Sequence, residues 1–279
     1  MGAKRRAFEA AYRVAEKILG LREASALSCA LAERLHPLGK RRVGDLDLSF
    51  LAPNSLVKWR VDTLLEKEPE TIEWIDSFKE GEVFYDVGAN IGLYSIYAAA
   101  RRKSPVVAFE PDARNYALLV ENAGLNGLSS LVRAYNVGLS DVDGLAVIYL
   151  SSRDAGSASN NIGAPIDALG KRFVAHLEQG ILTFGLDSFV KTYAPPFPQH
   201  LKIDVDGLEP EIIRGAAKTL EDPRLLSVSL EVNEQEKEDL GLVPILEAAG
   251  LGLVHKKHAA MFEGSPYHMF YNYLFRRRA

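Results

Sequence analysis

From Val83 onward, short β-rich apolar runs alternate with stretches whose apolar residues recur every three or four positions. The runs are VFYDV, VVAF, LVRAYNV, LAVIYL, LKIDV, LLSVSLEV, LGLVH and MFYNYLF, most of them apolar almost throughout, as strands covered on both faces are. Between them GLYSIYAAARR, RNYALLVENAGL, PEIIRGAAKTL and LVPILEAAG carry helical spacing. This alternation predicts an α/β fold, a mostly parallel sheet with helices on both faces. Residues 1–80 read as an N-terminal helical extension or lid, and residues 81–279 as the main domain. Within the extension, Phe8, Ala11, Tyr12, Ala15, Ile18 and Leu19 share one helical face, and VGDLDLSFLAPNS is a short strand or turn. In EPETIEWIDSF, Pro69 suits a first helical turn and Ile72, Ile75 and Phe78 form one face. Two segments break the rhythm, SSRDAGSASNNIGAPIDALG, expected as a mobile loop, and APPFPQH, expected as a linker.

Composition narrows the function. A formal charge of −4 supplies no global field for a phosphate backbone, and the basic clusters Lys4-Arg5-Arg6 and Arg276-Arg277-Arg278 sit at chain ends, so no nucleic-acid partner is expected. The single cysteine, Cys29, can form no internal disulfide, which points to a reducing compartment, the cytoplasm by default. No apolar stretch reaches the ~20 residues that span a bilayer. The amphipathic first helix leaves a homodimer contact open.

The chemistry starts at VFYDVGANIGLYS, a strand followed by Asp86, Gly88, Ala89, Asn90 and Gly92 and then a helix. Glycines there permit a tight turn and close backbone approach to a ligand, and the helix offers unpaired N–H groups. The spacing is not the G-x-G-x-x-G of dinucleotide binders, and no lysine follows as in a phosphate loop. An acid before the first glycine favours a cationic or amine-bearing ligand. VVAFEPD ends a second strand with Glu110 and Pro111, where an acid can take both hydroxyls of a ribose. A ligand with a ribose and an amino-acid zwitterion fits, and S-adenosylmethionine has both.

FYDVGANIGLYS, VVAFEPDARNYALLVENAGLN, NVGLSDVDG, FGLDSFV and LKIDVDGLEPEIIRGAAKTL, in that order, resemble the FkbM family of S-adenosylmethionine-dependent methyltransferases. The resemblance runs from about residue 68 to 275 and implies a Rossmann-like, class I methyltransferase fold, a seven-stranded sheet whose last strand, MFYNYLF, is antiparallel. It implies O-methylation of a hydroxyl on a sugar, glycolipid or small natural product. Residue by residue, Asp86, Gly88, Asn90 and Gly92 would hold the methionine portion and Glu110 the ribose. Asn136 and Val137 would lie beside the adenine, with Asp141 a partner for its amino group, and Thr71 would reach the cofactor carboxylate.

Methyl transfer to an alcohol needs alignment and a base or metal near the methyl group. In open α/β sheets ligands cross the carboxyl ends of the strands, so the chemistry should come from LKID and SLEVN. Asp204 ends the first of these and Glu231 the second. Of the acids that follow Asp204, Asp206 reads as a turn residue beside Gly207, Glu211 as a helix-dipole partner, and Glu209 as a supporting catalytic group. His255 or His258 is the alternative base. Asp204 with Glu231 could also supply oxygen ligands for magnesium, but the ligand set is incomplete and a metal is not favoured. The competing functions are a non-catalytic cofactor-binding module and an N-methyltransferase. APPFP resembles a Pro-Pro loop of amine methyltransferases, yet it has Ala194 at the polar position and precedes LKIDV instead of following it.

Overall fold

The computed structural model describes residues 37–158, 160–258 and 260–278, together with 10, 12–14, 17, 26 and 29. Phe8, Ala11, Ala15, Ile18 and Leu19 of the expected first helix, and Lys4-Arg5-Arg6, lie outside the described residues; 10, 12–14, 17, 26 and 29 are helical. Packing divides the chain after Leu38. Apart from Leu38, the first residue of the first strand, everything described below belongs to the unit that begins at Gly39.

Seven strands form the central sheet: β3 (Phe84–Val87), β4 (Val106–Phe109), β5 (Val132–Tyr135), β10 (His200–Ile203), β11 (Ser227–Asn233), β12 (Leu251–Lys257) and β13 (Phe270–Arg277). Their order is β12-β13-β11-β10-β3-β4-β5. The five from β11 to β5 pair in parallel, and β13 runs antiparallel to both of its neighbours. This is the Rossmann-like α/β arrangement expected, with MFYNYLF as the antiparallel strand. The order reverses between β3 and β10, and their carboxyl ends therefore open a crevice.

Side chains alternate across the sheet. Phe84, Val106, Ala108 and Val132 face one layer, built on α1 (Ser55–Asp62), α2 (Pro69–Asp76), α3 (Leu93–Arg102) and α4 (Ala113–Leu125). Tyr85, Val87, Leu201, Ile203, Val228 and Leu230 face the other, with α5 (Leu186–Tyr193), α6 (Glu209–Gly215), α7 (Ala217–Glu221) and α9 (Leu242–Ala248), which follows the short α8 (Lys237–Leu240). The hairpin of β1 (Leu38–Val43) and β2 (Leu46–Leu51) is the strand or turn expected at VGDLDLSFLAPNS. Phe50 of β2, Val57 and Val61 of α1 and Ile75 of α2 share one hydrophobic core with Phe84 of β3. Residues 39–80, read from sequence as part of a lid, are thus packed into the sheet's own core, because their apolar faces are the cover of its first layer.

LAVIYL departs from the expected sheet. As β7 (Gly144–Leu150) it joins a separate four-stranded sheet, β6-β9-β7-β8, with β6 (Gly138–Ser140), β8 (Asn161–Ile162) and β9 (Leu177–Gly185). One face of β7 stays exposed, Leu145 and Val147 included, a pattern a doubly covered central strand cannot have. His200 is buried at the amino end of β10. Its Nδ1 lies 2.7 Å from Ser227 Oγ and its Nε2 2.9 Å from Glu82 Oε2, and Phe78 stacks on the ring at 3.6 Å. APPFP is a connector whose Pro196 carbonyl accepts from Tyr85 Oη. Among the described residues no helix is long and apolar enough to cross a membrane.

Candidate functional site

A cavity of about 530 Å³ opens at the carboxyl ends of β3, β4, β10 and β11, and Asp86, Gly88, Ala89, Asn90, Glu110, Pro111, Val137, Asp204 and Glu231 all line it. Its size is that of sites for small organic ligands. The residues singled out in four separate motifs of the sequence are therefore brought to one place by the strand order.

The glycine turn is built by the chain itself. Gly88 has φ +80°, and a Cβ there would stand 1.9 Å from the carbonyl oxygen of Asp204. Its lack of a side chain lets the turn after β3 pass against the end of β10, a reason different from the ligand approach inferred from sequence. Gly92, at φ +85°, caps α3 and does not line the cavity; its Cβ would meet Leu119 Cδ1 at 2.2 Å. Asn90 donates its backbone N–H to Glu110 Oε2 at 2.7 Å, and its amide to the Ser157 carbonyl at 3.1 Å. Glu110 also accepts from the Asp112 N–H at 2.9 Å. Burial, aided by the Asp112 charge, pushes the Glu110 carboxyl up to about 8 against these N–H donors. Asp86 accepts from Ser95 Oγ at 2.6 Å, and burial pushes it up to about 6 although Lys202 and Ser95 hold it down.

On the other side of the switch point, Asp204 Oδ2 accepts from Lys202 Nζ at 2.5 Å, while Oδ1 makes no hydrogen bond among the described residues. Glu231, partly buried on the same wall, makes none either. Burial and the neighbouring charges of Asp204, Glu209 and Asp206 push its carboxyl well above the usual range. Neighbouring carboxylates in unequal surroundings are how proteins set a proton acceptor beside a proton donor. Among the described residues no group of three or more His, Cys, Asp or Glu side chains is arranged to hold a metal ion.

Besides Gly92, four expected positions lie off the cavity. Glu209 is buried, and its two oxygens accept from the N–H groups of Val205 at 3.1 Å and Gly207 at 2.9 Å. It braces the loop after Asp204, where Asp206 sits at φ +60°, and burial lifts its carboxyl to about 8. Asn136 donates to the Glu110 and Pro111 carbonyls at 2.8 and 2.9 Å, holding the end of β4 without facing the cavity. Asp141 is exposed and pairs at 3.0 Å with Arg214, which also holds Glu211. Thr71 is buried and lies 3.2 Å from Glu68 Oε2, to which its hydroxyl donates.

Sequence reasoning missed Lys67, Glu68, Tyr94 and Lys202, which line the cavity together. Lys202 left a signal, a lysine inside an otherwise apolar strand. Glu68 and Lys67 left none, since charges before a helix are ordinarily solvated. His258 lines the cavity and stacks on Tyr271 at 4.2 Å, whereas His255 does not line it. The segment expected to be mobile is fastened over the cavity. Ser152, Ala155, Gly156 and Ser157 offer carbonyls to Arg114, Asn54, Arg60 and Asn90, and Asn115 both accepts from the Gly156 N–H at 2.6 Å and donates to Ser157 at 3.3 Å.

The sequence model of the family described as Methyltransferase FkbM domain matches residues 86–261. A hexuronic acid methyltransferase, AglP, of Haloferax volcanii is 26% identical over 184 residues, covering 64% of this chain and 69% of that protein. Methyltransferase sdnD of Sordaria araneosa is 29% identical over 153 residues, covering 47% of this chain and 58% of that protein. Among solved structures, the FkbM methyltransferase of Methylobacillus flagellatus superposes with a TM-score of 0.48 at 15% identity, over 81% of this chain and 56% of that one.

Proposed function

For a chain that belongs to the FkbM methyltransferase family, we propose an S-adenosylmethionine-dependent O-methyltransferase acting on a hydroxyl of a carbohydrate or carbohydrate-bearing small molecule. The observation that carries this reading is that Glu110, at the end of β4, and Asp204, at the end of β10, line one cavity. The carbohydrate class is supported by the relative that methylates a hexuronic acid.

The residues present fit the cofactor. Phe109, Val137 and Leu139 line the cavity beside Glu110 and would take the adenine, with the Glu110 carboxylate on the ribose. Asp86, with Asn90, would hold the amino-acid end. Ser157 Oγ, buried on the cavity wall without a hydrogen-bond partner among the described residues, is a polar atom that a ligand could satisfy. When bound, S-adenosylmethionine supplies a methyl group whose carbon–sulfur bond breaks as the acceptor oxygen bonds to carbon, the electron pair leaving on sulfur. Asp204 Oδ1 takes the proton of the acceptor hydroxyl as charge develops on that oxygen. Glu231, in the lining of the same cavity, would hydrogen-bond the acceptor and orient it. Asn90 and Asn115 keep the 151–158 segment closed over the site, which excludes water.

Calorimetry is the direct test. The purified protein is expected to bind S-adenosylhomocysteine with micromolar affinity, and Glu110→Ala to weaken it at least tenfold by removing the ribose partner, a loss of about 1.4 kcal/mol. Absence of heat with either S-adenosylmethionine or its demethylated product would sink the reading.

A further inference from the structure

Four charged side chains on the cavity wall alternate in sign. Lys67 Nζ donates to Glu68 Oε1 at 2.7 Å, Glu68 Oε2 lies 3.6 Å from Lys202 Nζ, and Lys202 Nζ donates to Asp204 Oδ2 at 2.5 Å. The row starts in the turn before α2 and ends at the tip of β10. Lys202 is 2% exposed and Glu68 3%. Lys202 stands in register with Asp86 of β3, and its ammonium lies 5.1 Å from the centroid of the Tyr94 ring of α3. The groups facing it are therefore Glu68, Asp86, Tyr94 and Asp204, with Lys67 and Glu231 on the same wall.

Burying an ammonium is costly unless partners repay the lost hydration, and a core that needed only neutrality would be served as well by apolar side chains in place of Lys202 and Glu68. Retaining both has a geometric result. One oxygen of Asp204 is tied to a cation that is itself held from behind, so the carboxylate cannot rotate freely, and its other oxygen is left to the cavity. Resting on the methyltransferase reading above, we propose that Lys202 is a positioning residue for methyl transfer: it fixes Asp204 through Oδ2 so that Oδ1 faces the acceptor, and Glu68 fixes Lys202. Neither touches the reacting atoms. Catalytic carboxylates have to be held to within about 0.5 Å, and a free aspartate at a strand end has several rotamers to choose from.

The test uses the full chain. Lys202→Met combined with Glu68→Gln removes one charge of each sign, so the buried balance is kept. Its expected result is a protein that melts within about 5 °C of wild type, binds S-adenosylhomocysteine with a Kd within about threefold, and in the crystal with that ligand shows Asp204 turned away from its wild-type rotamer. Lys202→Arg, which keeps a donor, is expected to return Asp204 to place. If Asp204 holds its rotamer in the double variant, or Arg fails to restore it, the positioning role is overturned. Should the double variant not fold, wild-type protein decides by 15N NMR. A held Lys202 ammonium gives a slowly exchanging Nζ resonance at neutral pH, and exchange as fast as that of surface lysines overturns the proposal. Loss of S-adenosylhomocysteine binding by wild type would instead count against the cofactor reading.

Discussion

At Gly88 the backbone has room for a hydrogen and nothing more, since a Cβ would stand 1.9 Å from the Asp204 carbonyl oxygen at φ +80°. Gly88→Ala must therefore pry β3 from β10 or abandon the turn. It is expected to cost about 3 kcal/mol or more, read as a fall in the thermal midpoint, and to abolish S-adenosylhomocysteine binding. Sequence showed that a glycine was needed here but not against what, because the obstacle comes from a strand more than a hundred residues away. Glu209 illustrates the same limit. Its position after Asp204 and before Pro210 reads as a supporting acid, and only the backbone coordinates show both oxygens spent on the N–H groups of Val205 and Gly207. Asp86, Glu110, Asp204 and Glu231 were legible because each lies in or just beyond the carboxyl-terminal part of a strand, and those ends in a parallel sheet converge. Lys202 was readable in principle, as a charge inside LKIDV.

Among elements, the segment from Ser151 to Ala158 behaves unlike its composition. Serine, glycine and alanine suggest a loop without order, yet its backbone is taken up by Asn54, Arg60, Asn90, Arg114 and Asn115, all from elements distant in sequence. Small side chains let that backbone lie close to its partners. Asn115→Ala removes two of these bonds, worth about 1 kcal/mol each. The Gly156 amide is then expected to exchange roughly 30-fold faster, as measured by hydrogen–deuterium exchange, with α4 itself unchanged. Equal exchange in the two proteins would mean that the other fastenings suffice. Periodicity found α2, α3, α4 and α9 and every strand of the central sheet. It did not find β9, nor that β7 belongs to a second sheet, because a half-covered strand and a fully covered one share the same short apolar run.

At the scale of the whole molecule, the sheet separates two chemistries, the cavity at the carboxyl ends and a closed polar cluster around His200 at the amino end of β10. The alternation of strands and helices established the α/β class and family resemblance the antiparallel β13, whereas the strand order is visible only in the structure, since no local pattern encodes which strands are neighbours. The His200 cluster makes stability depend on pH. Burial lowers His200 to about 4 from an ordinary 6.5, with Glu82 pulling the other way. Between those values the unfolded chain binds more protons than the folded one, so this contribution is complete above pH 6.5 and is lost as pH falls toward 4. Glu110 and Glu209, lifted to about 8, act in the opposite sense and weaken the fold as pH rises from 4.5 to 8. A difference measurement isolates the histidine. The gap in urea-unfolding free energy between wild type and His200→Gln is expected to narrow by roughly 2 to 3 kcal/mol from pH 7.5 to 4.5. The same cluster has a definite proton direction. Trp74 Nε1 can only donate, and it donates to Ser227 Oγ at 2.8 Å. Glu82, held low by His200 and the Lys79 N–H although burial raises it, can only accept. A neutral His200 between them must carry its hydrogen on Nε2 and leave Nδ1 bare to accept from the Ser227 hydroxyl. Every donation thus runs one way, indole to hydroxyl to imidazole to carboxylate, and the ring is held in a single tautomer, because a hydrogen on Nδ1 would leave a bare Nε2 facing the Glu82 carboxylate, two acceptors with no hydrogen between them.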